Sequence, residues 1–277
     1  MDRVIVSWNG AGQDPPLANI YLDATPEFQL HLFDYSGSHQ NQLAPKLPHN
    51  PWGVQLGGHV ISVRTECKGQ ILEHCEQYFR PQFEQHGEIE GKRGYVAIID
   101  DDILIALSDL NRALHLGRRL DLTTFSPSLS KDSFYNHSKM LSQPGQLAHQ
   151  VDWVEIMMPF MDQRLFHAAK SYYPTSISSW GIDCYAFPML AIAHGLGDRH
   201  AVLDHVMASH IRPVTSGDRT FSNGLTAHKE MELLKQQCLN DLEEQWPKLL
   251  EDNRIRQLFE LNEEPSRLLQ RFKKIAR

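Results

Sequence analysis

Cysteine is scarce in this sequence and follows no metal-binding or disulfide pattern. The four cysteines, in 277 residues, are Cys67, Cys75, Cys184 and Cys238, and no two of them form a CxxC pair. Zinc knuckles and disulfide frameworks need closely or regularly spaced cysteines, so neither is indicated. The pattern favours a reducing compartment, and we expect a cytoplasmic protein.

Long apolar runs and an excess of basic residues are also absent. No run approaches the roughly 18 apolar residues of a membrane span, and the opening MDRVIVSWNG has too short an apolar stretch for a signal peptide. The formal net charge is -7, whereas a broad nucleic-acid surface shows a basic stripe. We therefore expect no membrane span and no nucleic-acid partner.

The chain does have a globular composition with alternating strand and helix signals. Hydrophobic residues make up 41% of it and charged residues 22%, which excludes general disorder. A helix is predicted for KGQILEHCEQYF, stopped or kinked by Pro81, and another for residues 162–173. Strands are predicted for RVIVSW, FQLHLFDY, GHVISVRT, GYVAIID, DLTTFSPSL, WVEIMMPFM and HAVLDHVMASH. The alternation predicts an α/β fold with a mixed, mostly parallel sheet flanked by helices.

The composition shifts near Leu225 towards Glu, Lys, Gln and Leu. We expect one main domain over residues 1–224 and a C-terminal helical extension over residues 225–277. The final SRLLQRFKKIAR combines apolar residues with five basic ones and no acidic one. Two interpretations stay open: a packed terminal helix with a solvated basic face, or peripheral contact with the inner face of a membrane.

Three consecutive aspartates, Asp100, Asp101 and Asp102, follow the apolar run YVAII. Ligands of parallel sheets gather at the carboxyl ends of strands, where these carboxylates are expected. Three explanations are open: Asp102 as the N-cap of a helix in ILIALSDL, plain loop acidity, or a hard-cation site that holds a substrate phosphate. A cap explains one carboxylate only, and crowded carboxylates repel one another unless a cation neutralises them.

Two further stretches carry residues that suit chemistry. SSWGIDCYAF places Trp180, Gly181 and Asp183 together. Such a set suits gripping a sugar and removing a hydroxyl proton, and it also suits a buried tryptophan beside a helix-capping aspartate. His210 ends a predicted strand, where it is either structural or the nitrogen ligand of a mixed metal site, and imidazole suits Mn better than Mg.

In order and spacing, these motifs resemble the GT-A glycosyltransferases, which share a D-x-D metal motif, a downstream acidic catalytic motif and a C-terminal metal-binding histidine. The chain is more similar still to a glycosyltransferase-like family of unknown function found in plants and bacteria. The stretches that carry the resemblance are LFDYSGS, IIDDDI, WVEIMMPFM, WGID and LDHVMASHIRPVTSG, over residues 28–217. The resemblance implies a GT-A-like, Rossmann-like fold and transfer of a sugar from a nucleotide diphosphate donor to a carbohydrate or glycolipid acceptor, in surface polysaccharide assembly.

The resemblance also implies roles for individual residues. Asp100, Asp102 and His210 would hold Mn or Mg against the donor diphosphate. Asp183 would take the proton from the acceptor hydroxyl, and Glu155 is the competing candidate for that role.

The implied substrate contacts fall into four groups. They are Trp180 as a sugar or acceptor platform, Ser7, Asn9 and Asp34 at the nucleobase or ribose, Lys68 and Arg212 at the donor phosphates, and Asp101 towards the ribose or backbone amides. Arg212 departs from the family pattern, because a glycine is usual at that position.

Two other functions remain open. A metal-dependent nucleotidyltransferase or nucleotide-sugar hydrolase uses the same carboxylates, although SWNGAGQDPPL lacks the basic residue expected in a triphosphate loop. The other is a non-catalytic sugar-binding module, against which the presence of DDD, Asp183 and His210 together argues.

Overall fold

The computed structural model describes residues 1–12, 16–39, 60–85, 94–214 and 217–261. The strands in these ranges are β1 Arg3–Trp8, β2 Ile20–Tyr21, β3 Gln29–Asp34, β4 Val60–Ser62, β5 Tyr95–Ile99, β6 Ile103–Ala106, β7 Thr124–Leu129, β8 His149–Gln150, β9 Phe160–Asp162 and β10 His200–His210. The α-helices are α1 Lys68–Gln85, α2 Leu107–Arg119, α3 Gln163–Ala168, α4 Phe187–Ala193, α5 Ala227–Gln245 and α6 Asn253–Leu258.

The strands form one mixed, mostly parallel sheet in the order β2-β6-β10-β7-β9-β5-β1-β3-β4, with β8 paired to β10. β1 runs parallel to both β3 and β5, and β7 runs parallel to β10. β9 is antiparallel to β5 and β7, and β6 is antiparallel to β10. The predicted α/β architecture with flanking helices is confirmed.

The central strands are buried along their whole length because helices cover both faces of the sheet. Side chains alternate between the faces, so Tyr95, Ala97 and Ile99 of β5 join one core while Val96 and Ile98 join the other. The first core also contains α2, and the second contains α1, α3, α4, α5 and α6. This two-sided burial explains why β1 and β5 are continuous apolar runs.

Pro81 does not end α1, so of the two effects expected from the sequence, a stop or a kink, the stop is wrong. The helix continues through Pro81 to Gln85. Phe83, in its last turn, packs against Phe166 with ring centroids 6.2 Å apart. Proline has no backbone amide to donate, so the turn around Pro81 lacks one helical hydrogen bond. The contact of Phe83 with Phe166 stabilises the helix beyond the proline.

The prediction that Asp102 caps a helix is wrong. β6 begins directly after it, and α2 begins only at Leu107. The first turn of α2 is instead capped from another segment, because the Asp23 carboxylate accepts from the Ser108 amide at 2.9 Å and from the Ser108 hydroxyl at 2.6 Å. Asp102 is therefore not needed to cap this helix.

The stretch WVEIMMPFM was predicted to be a strand, but only its last two residues, with Asp162, form β9. Residues 153–158 are held by single contacts rather than by a ladder. Met157 accepts from the Asp100 amide at 3.2 Å, and the Ile156 amide donates to Asp183 at 3.2 Å. Burial, not strand pairing, therefore explains the apolar character of residues 153–158.

The helix predicted for residues 162–173 is α3 followed by two short helical turns.

Within the described ranges, no helix combines the length and the hydrophobicity needed to cross a bilayer. The predicted basic helix over residues 266–277 lies outside the described residues, as do the first two residues of the predicted strand GHVISVRT.

Gly69 lets the start of α1 contact the loop that precedes Trp180. Its amide donates to the Ile177 carbonyl at 2.9 Å. A Cβ at this position would overlap the Ser176 carbonyl oxygen and lie 2.8 Å from that of Ile177. Both obstacles are backbone atoms, so the loop or the helix would have to move.

We predict that Gly69→Ala lowers the free energy of unfolding by about 2 kcal/mol or more, because of this overlap. In an open helix position the same change would stabilise by roughly 0.5–1 kcal/mol. Urea denaturation measures the difference, with Gln77→Ala on the exposed side of α1 as the control. Equal or higher stability of Gly69→Ala would contradict the close approach.

Candidate functional site

The carboxyl ends of β1, β3 and β5 meet at one edge of the sheet because these strands are parallel. The Ser7 hydroxyl donates to the Ile99 carbonyl at 3.1 Å and so ties the ends of β1 and β5 together. A cavity of about 150 Å³ lies at this edge. Its lining residues are Ser7, Trp8, Asn9, Gly12, Leu17, Ala18, Asn19, Tyr35, Asp101 and Arg212.

Four of the predicted substrate residues, Ser7, Asn9, Asp101 and Arg212, line this one cavity. Asp101 is neutralised within it: the Tyr35 hydroxyl donates to one carboxylate oxygen at 2.8 Å, and Arg212 Nη1 donates to the other at 3.1 Å. Burial and the hydrogen bond to Asp101 raise the pKa of Tyr35, so its hydroxyl remains a donor at physiological pH. The cavity therefore combines an aromatic wall with amide, hydroxyl and guanidinium donors.

The carboxylate of Asp34, which was predicted to contact the nucleobase or ribose, accepts hydrogen bonds from several protein donors. Oδ1 accepts from the Gly10 amide at 2.9 Å and from the amide and hydroxyl of Ser36. Oδ2 accepts from the Ser62 hydroxyl at 2.8 Å and the His39 amide at 3.1 Å. Burial opposes its ionisation, yet these hydrogen bonds hold the pKa of Asp34 well below its usual range. Its observed role is to hold the turns that frame the cavity.

Asp102 and His210 meet because β6 and β10 pair antiparallel, with His210 opposite Ile103. His210 Nε2 lies 3.3 Å from Asp102 Oδ2, and His210 Nδ1 lies 2.8 Å from the Phe134 carbonyl. A carbonyl only accepts, so Nδ1 carries a proton and Nε2 faces the carboxylate. The second oxygen, Asp102 Oδ1, is buried and has no hydrogen-bond partner among the described residues. Two of the three predicted metal ligands are thus adjacent.

Asp100, the third predicted ligand, has a different partner. Lys68 Nζ lies 2.5 Å from Asp100 Oδ1, 2.9 Å from the Ile98 carbonyl and 3.4 Å from the Met157 carbonyl. These acceptors use all three donors of an ammonium group, so Lys68 has none left for a donor phosphate. Asp100 Oδ1 is therefore paired with Lys68, while the charge of Asp100 still acts on Asp102 and His210. No group of three or more His, Cys, Asp or Glu suited to a metal occurs in the part of the chain that the structure describes.

Asp183 and Glu155 form a second acidic pair. Gly181, with φ +91, turns the backbone into the π-helical turn Ile182–Ala186 that carries Asp183. Asp183 accepts from the Cys184 amide at 2.8 Å and from the Ile156 amide at 3.2 Å, next to Glu155. It caps no α-helix, so that alternative from the sequence is wrong.

The two carboxyl groups differ in how they are satisfied. Glu155 is 7% exposed, and its Oε2 has no hydrogen-bond partner among the described residues. Burial and the Asp183 charge raise the pKa of Glu155 to about 7. Burial raises the pKa of Asp183 to about 6, although hydrogen bonds from the Cys184 and Ile156 amides and the Lys139 charge oppose it. The pair can accept a proton near neutral pH, as a general base requires.

Trp180 is half-buried and packs edge-on against His228 of α5, with ring centroids 4.9 Å apart. The loop before it is fixed by Glu230, a fully buried residue of α5. Its carboxylate accepts from the Ile177 amide at 3.1 Å and from the Ser178 amide at 2.8 Å. α5 therefore determines where the predicted sugar platform lies.

Sequence reasoning missed several residues of the site, among them Asn19, Tyr35 and Glu230. Asn19 Nδ2 donates to the Asp100 carbonyl at 3.2 Å and to the Ile103 carbonyl at 2.7 Å, and so fixes the aspartate loop. Tyr35 is the last residue of the predicted strand FQLHLFDY, which is a usable signal. Asn19 and Glu230 belong to no motif, and their contacts cross more than 50 residues of sequence.

No family model matches the chain, and a comparison with curated proteins finds no match. Among solved structures, the S. aureus TarS 1-349 complex with UDP is similar, with a TM-score of 0.50, 10% sequence identity, and coverage of 93% of this chain and 70% of that chain. The fold is GT-A-like. A TarS 1-349 complex with UDP-GlcNAc gives a TM-score of 0.48 at 11% identity, covering 93% of this chain and 71% of that one. The narrower resemblance to the family of unknown function stays a prediction.

We predict that Glu155→Gln stabilises the protein at pH 8 but not at pH 5. Between about pH 4.5 and 7 the folded protein keeps a proton that the unfolded chain releases, so stability falls as pH rises through this window. The raised pKa corresponds to about 3 kcal/mol at pH 8, and glutamine removes this cost in part. Thermal or urea unfolding at both pH values measures it, with exposed Glu244→Gln as the control. A pH-independent effect would contradict the buried, raised-pKa carboxyl group.

Proposed function

We propose that the chain is a metal-dependent glycosyltransferase that moves a sugar from a nucleotide diphosphate donor to a carbohydrate or glycolipid acceptor. One observation carries this proposal. Asp102 Oδ1 is buried without a hydrogen-bond partner among the described residues, and Asp102 lies beside His210. Asp102 directly follows Asp101 of the cavity, and the charge of His210 acts on Glu155 of the acidic pair. In this proposal a donor site, a cation site and a base are neighbours.

The donor nucleotide would occupy the cavity at the ends of β1 and β3. Tyr35 offers an aromatic ring, while Ser7, Asn9 and Asn19 offer hydroxyl and amide groups to a base or ribose. Arg212 is half-exposed, and its guanidinium has donors beyond the one that binds Asp101, so it can contact the diphosphate. The TarS 1-349 structure contains UDP, which supports a nucleotide ligand for a chain of similar fold.

Asp102 and His210 would hold Mn or Mg. The donor atoms of the two side chains match this choice of cation. One carboxylate oxygen without a hydrogen-bond partner among the described residues and one imidazole nitrogen suit Mn in particular. Two protein ligands leave positions for donor phosphate oxygens and water, which is the usual arrangement for such cations. The cation would neutralise charge on the leaving diphosphate. Asp100 would support this site through Lys68 rather than as a ligand.

Asp183 and Glu155 would remove the proton from the acceptor hydroxyl. The free Glu155 Oε2 is the better placed acceptor of a new hydrogen bond, whereas Asp183 already accepts two from backbone amides. Asp183 orients Ile156 and raises the pKa of Glu155. We therefore assign the role of catalytic base to the pair, and we expect the protonation of the two carboxyl groups to be coupled. Trp180 would serve as the sugar platform.

We predict that UDP with Mn raises the melting temperature of the protein by roughly 5 °C at 100 times the dissociation constant. Asp102→Ala should lose the Mn-dependent part of this shift, because it removes the orphaned oxygen. Asp109→Ala, in the first turn of α2 where Asp109 pairs with Arg112, should keep it. GDP and UTP with Mn, tested in parallel, identify the preferred nucleotide.

A shift that is independent of Mn, or retained in Asp102→Ala, contradicts the cation site. A preference for the triphosphate favours a nucleotidyltransferase. Turnover of a nucleotide sugar at a rate that no carbohydrate acceptor increases favours a hydrolase.

A further inference from the structure

One side of the candidate site is formed by residues 133–140, here called the 133–140 wall. Its backbone is joined to the end of β10: the Phe134 amide donates to the His210 carbonyl at 3.0 Å, and the Ser133 hydroxyl accepts from the His210 amide at 3.1 Å. Asn136 lies close enough to Glu155 to lower the pKa of that carboxyl group. The wall therefore runs from the proposed cation ligand to the proposed base, and no wall residue lines the donor cavity.

The wall is held firmly at its far end. Met140 is fully buried, and the next residues return to the sheet through the Ser142 amide, which donates to the Leu129 carbonyl at 2.9 Å. The His149 ring lies 2.7 Å from the Lys139 carbonyl through Nε2 and 2.8 Å from Asp204 through Nδ1. These contacts fix the backbone of Lys139 and therefore the point from which its side chain extends.

The side chain of Lys139 lies over Trp153. Its ammonium nitrogen is 3.6 Å from the ring centroid, and the His137 ring meets the indole edge-on at 4.7 Å and 83°. Trp153 is half-buried and two residues before Glu155. An aromatic face next to a proposed base is a common way to seat a sugar ring, and here a cation covers that face.

Lys139 is half-buried and forms no ion pair within 4.0 Å among the described residues. The acidic groups that act on it are Asp152, Asp183 and Glu155, from greater distances. A partly desolvated ammonium held only by a cation–π contact gains from a close anion. Glu155 and Asp183 repel an anion, so an anionic group on the acceptor would bind at Lys139 and leave the neutral hydroxyl for the base.

We propose that Trp153 and Lys139 form an acceptor subsite for a carbohydrate that carries an anionic group, either a carboxylate or a phosphate ester. The anion draws the Lys139 ammonium off the indole, and the sugar ring packs on the face that it leaves. The anion and the ring together orient the reacting hydroxyl towards Glu155. This inference rests on the proposed glycosyltransferase function and specifies its acceptor.

Isothermal titration calorimetry in the presence of UDP and Mn tests the subsite. The probes are a glucuronic-acid-terminated disaccharide against its glucose-terminated counterpart, and glucose 1-phosphate against methyl glucoside. We expect at least one anionic probe to bind at least tenfold more tightly than its neutral partner. The arm that shows the preference identifies the carboxylate or the phosphate as the recognised group.

Lys139→Met should abolish the preference, Lys139→Arg should keep it, and exposed Lys131→Met should be unchanged. Trp153→Ala should weaken both members of the preferred pair, and melting temperatures show that each variant is folded. Equal binding of anionic and neutral probes, no binding of either anionic probe, or a preference that survives Lys139→Met overturns the inference. If UDP and Mn still bind in that case, only the acceptor proposal fails; if they do not bind, the donor proposal fails as well.

Discussion

A buried ammonium group joins the parts of this site. Lys68 begins α1 and is 7% exposed, and its nitrogen contacts the end of β5 through Ile98 and Asp100 and the segment before β9 through Met157. An ammonium buried without a counter-charge costs several kcal/mol, so Asp100 is required beside it. The distance between the aspartate loop and Glu155 therefore depends on where α1 packs.

The remaining carboxylates divide into groups that the fold satisfies and groups that it leaves open. Asp34 accepts hydrogen bonds from several turns, which lower its pKa, and Asp101 is paired with Tyr35 and Arg212. Asp102 and Glu155 each keep one buried oxygen without a partner among the described residues. Such orphaned oxygens cost stability, and we propose that ligands supply the missing partners here.

The sequence allowed the fold to be predicted well where burial is two-sided. β1 and β5 are nearly continuous or continuous apolar runs, and the order of the predicted strands with the intervening helix signals predicted the sheet. Residues 153–158 were wrongly predicted as part of a strand. A buried apolar segment that is held by a few hydrogen bonds has the same composition as a strand. At the site, adjacency along β6 and β10 brought Asp102 to His210 as expected. The partners of Asp34, Lys68 and Asp100 depend on packing of α1 and the turns, which no local pattern reveals.

The central claim is that Asp102 and His210 bind a divalent cation between a nucleotide and the acidic pair. Crystals grown with UDP and Mn, measured at the manganese edge, test it most directly. We expect one anomalous peak within coordination distance of Asp102 Oδ1 and His210 Nε2, with the nucleotide in the cavity beside Tyr35. A peak between Glu155 and Asp183, or a nucleotide bound with no metal at Asp102, would contradict it.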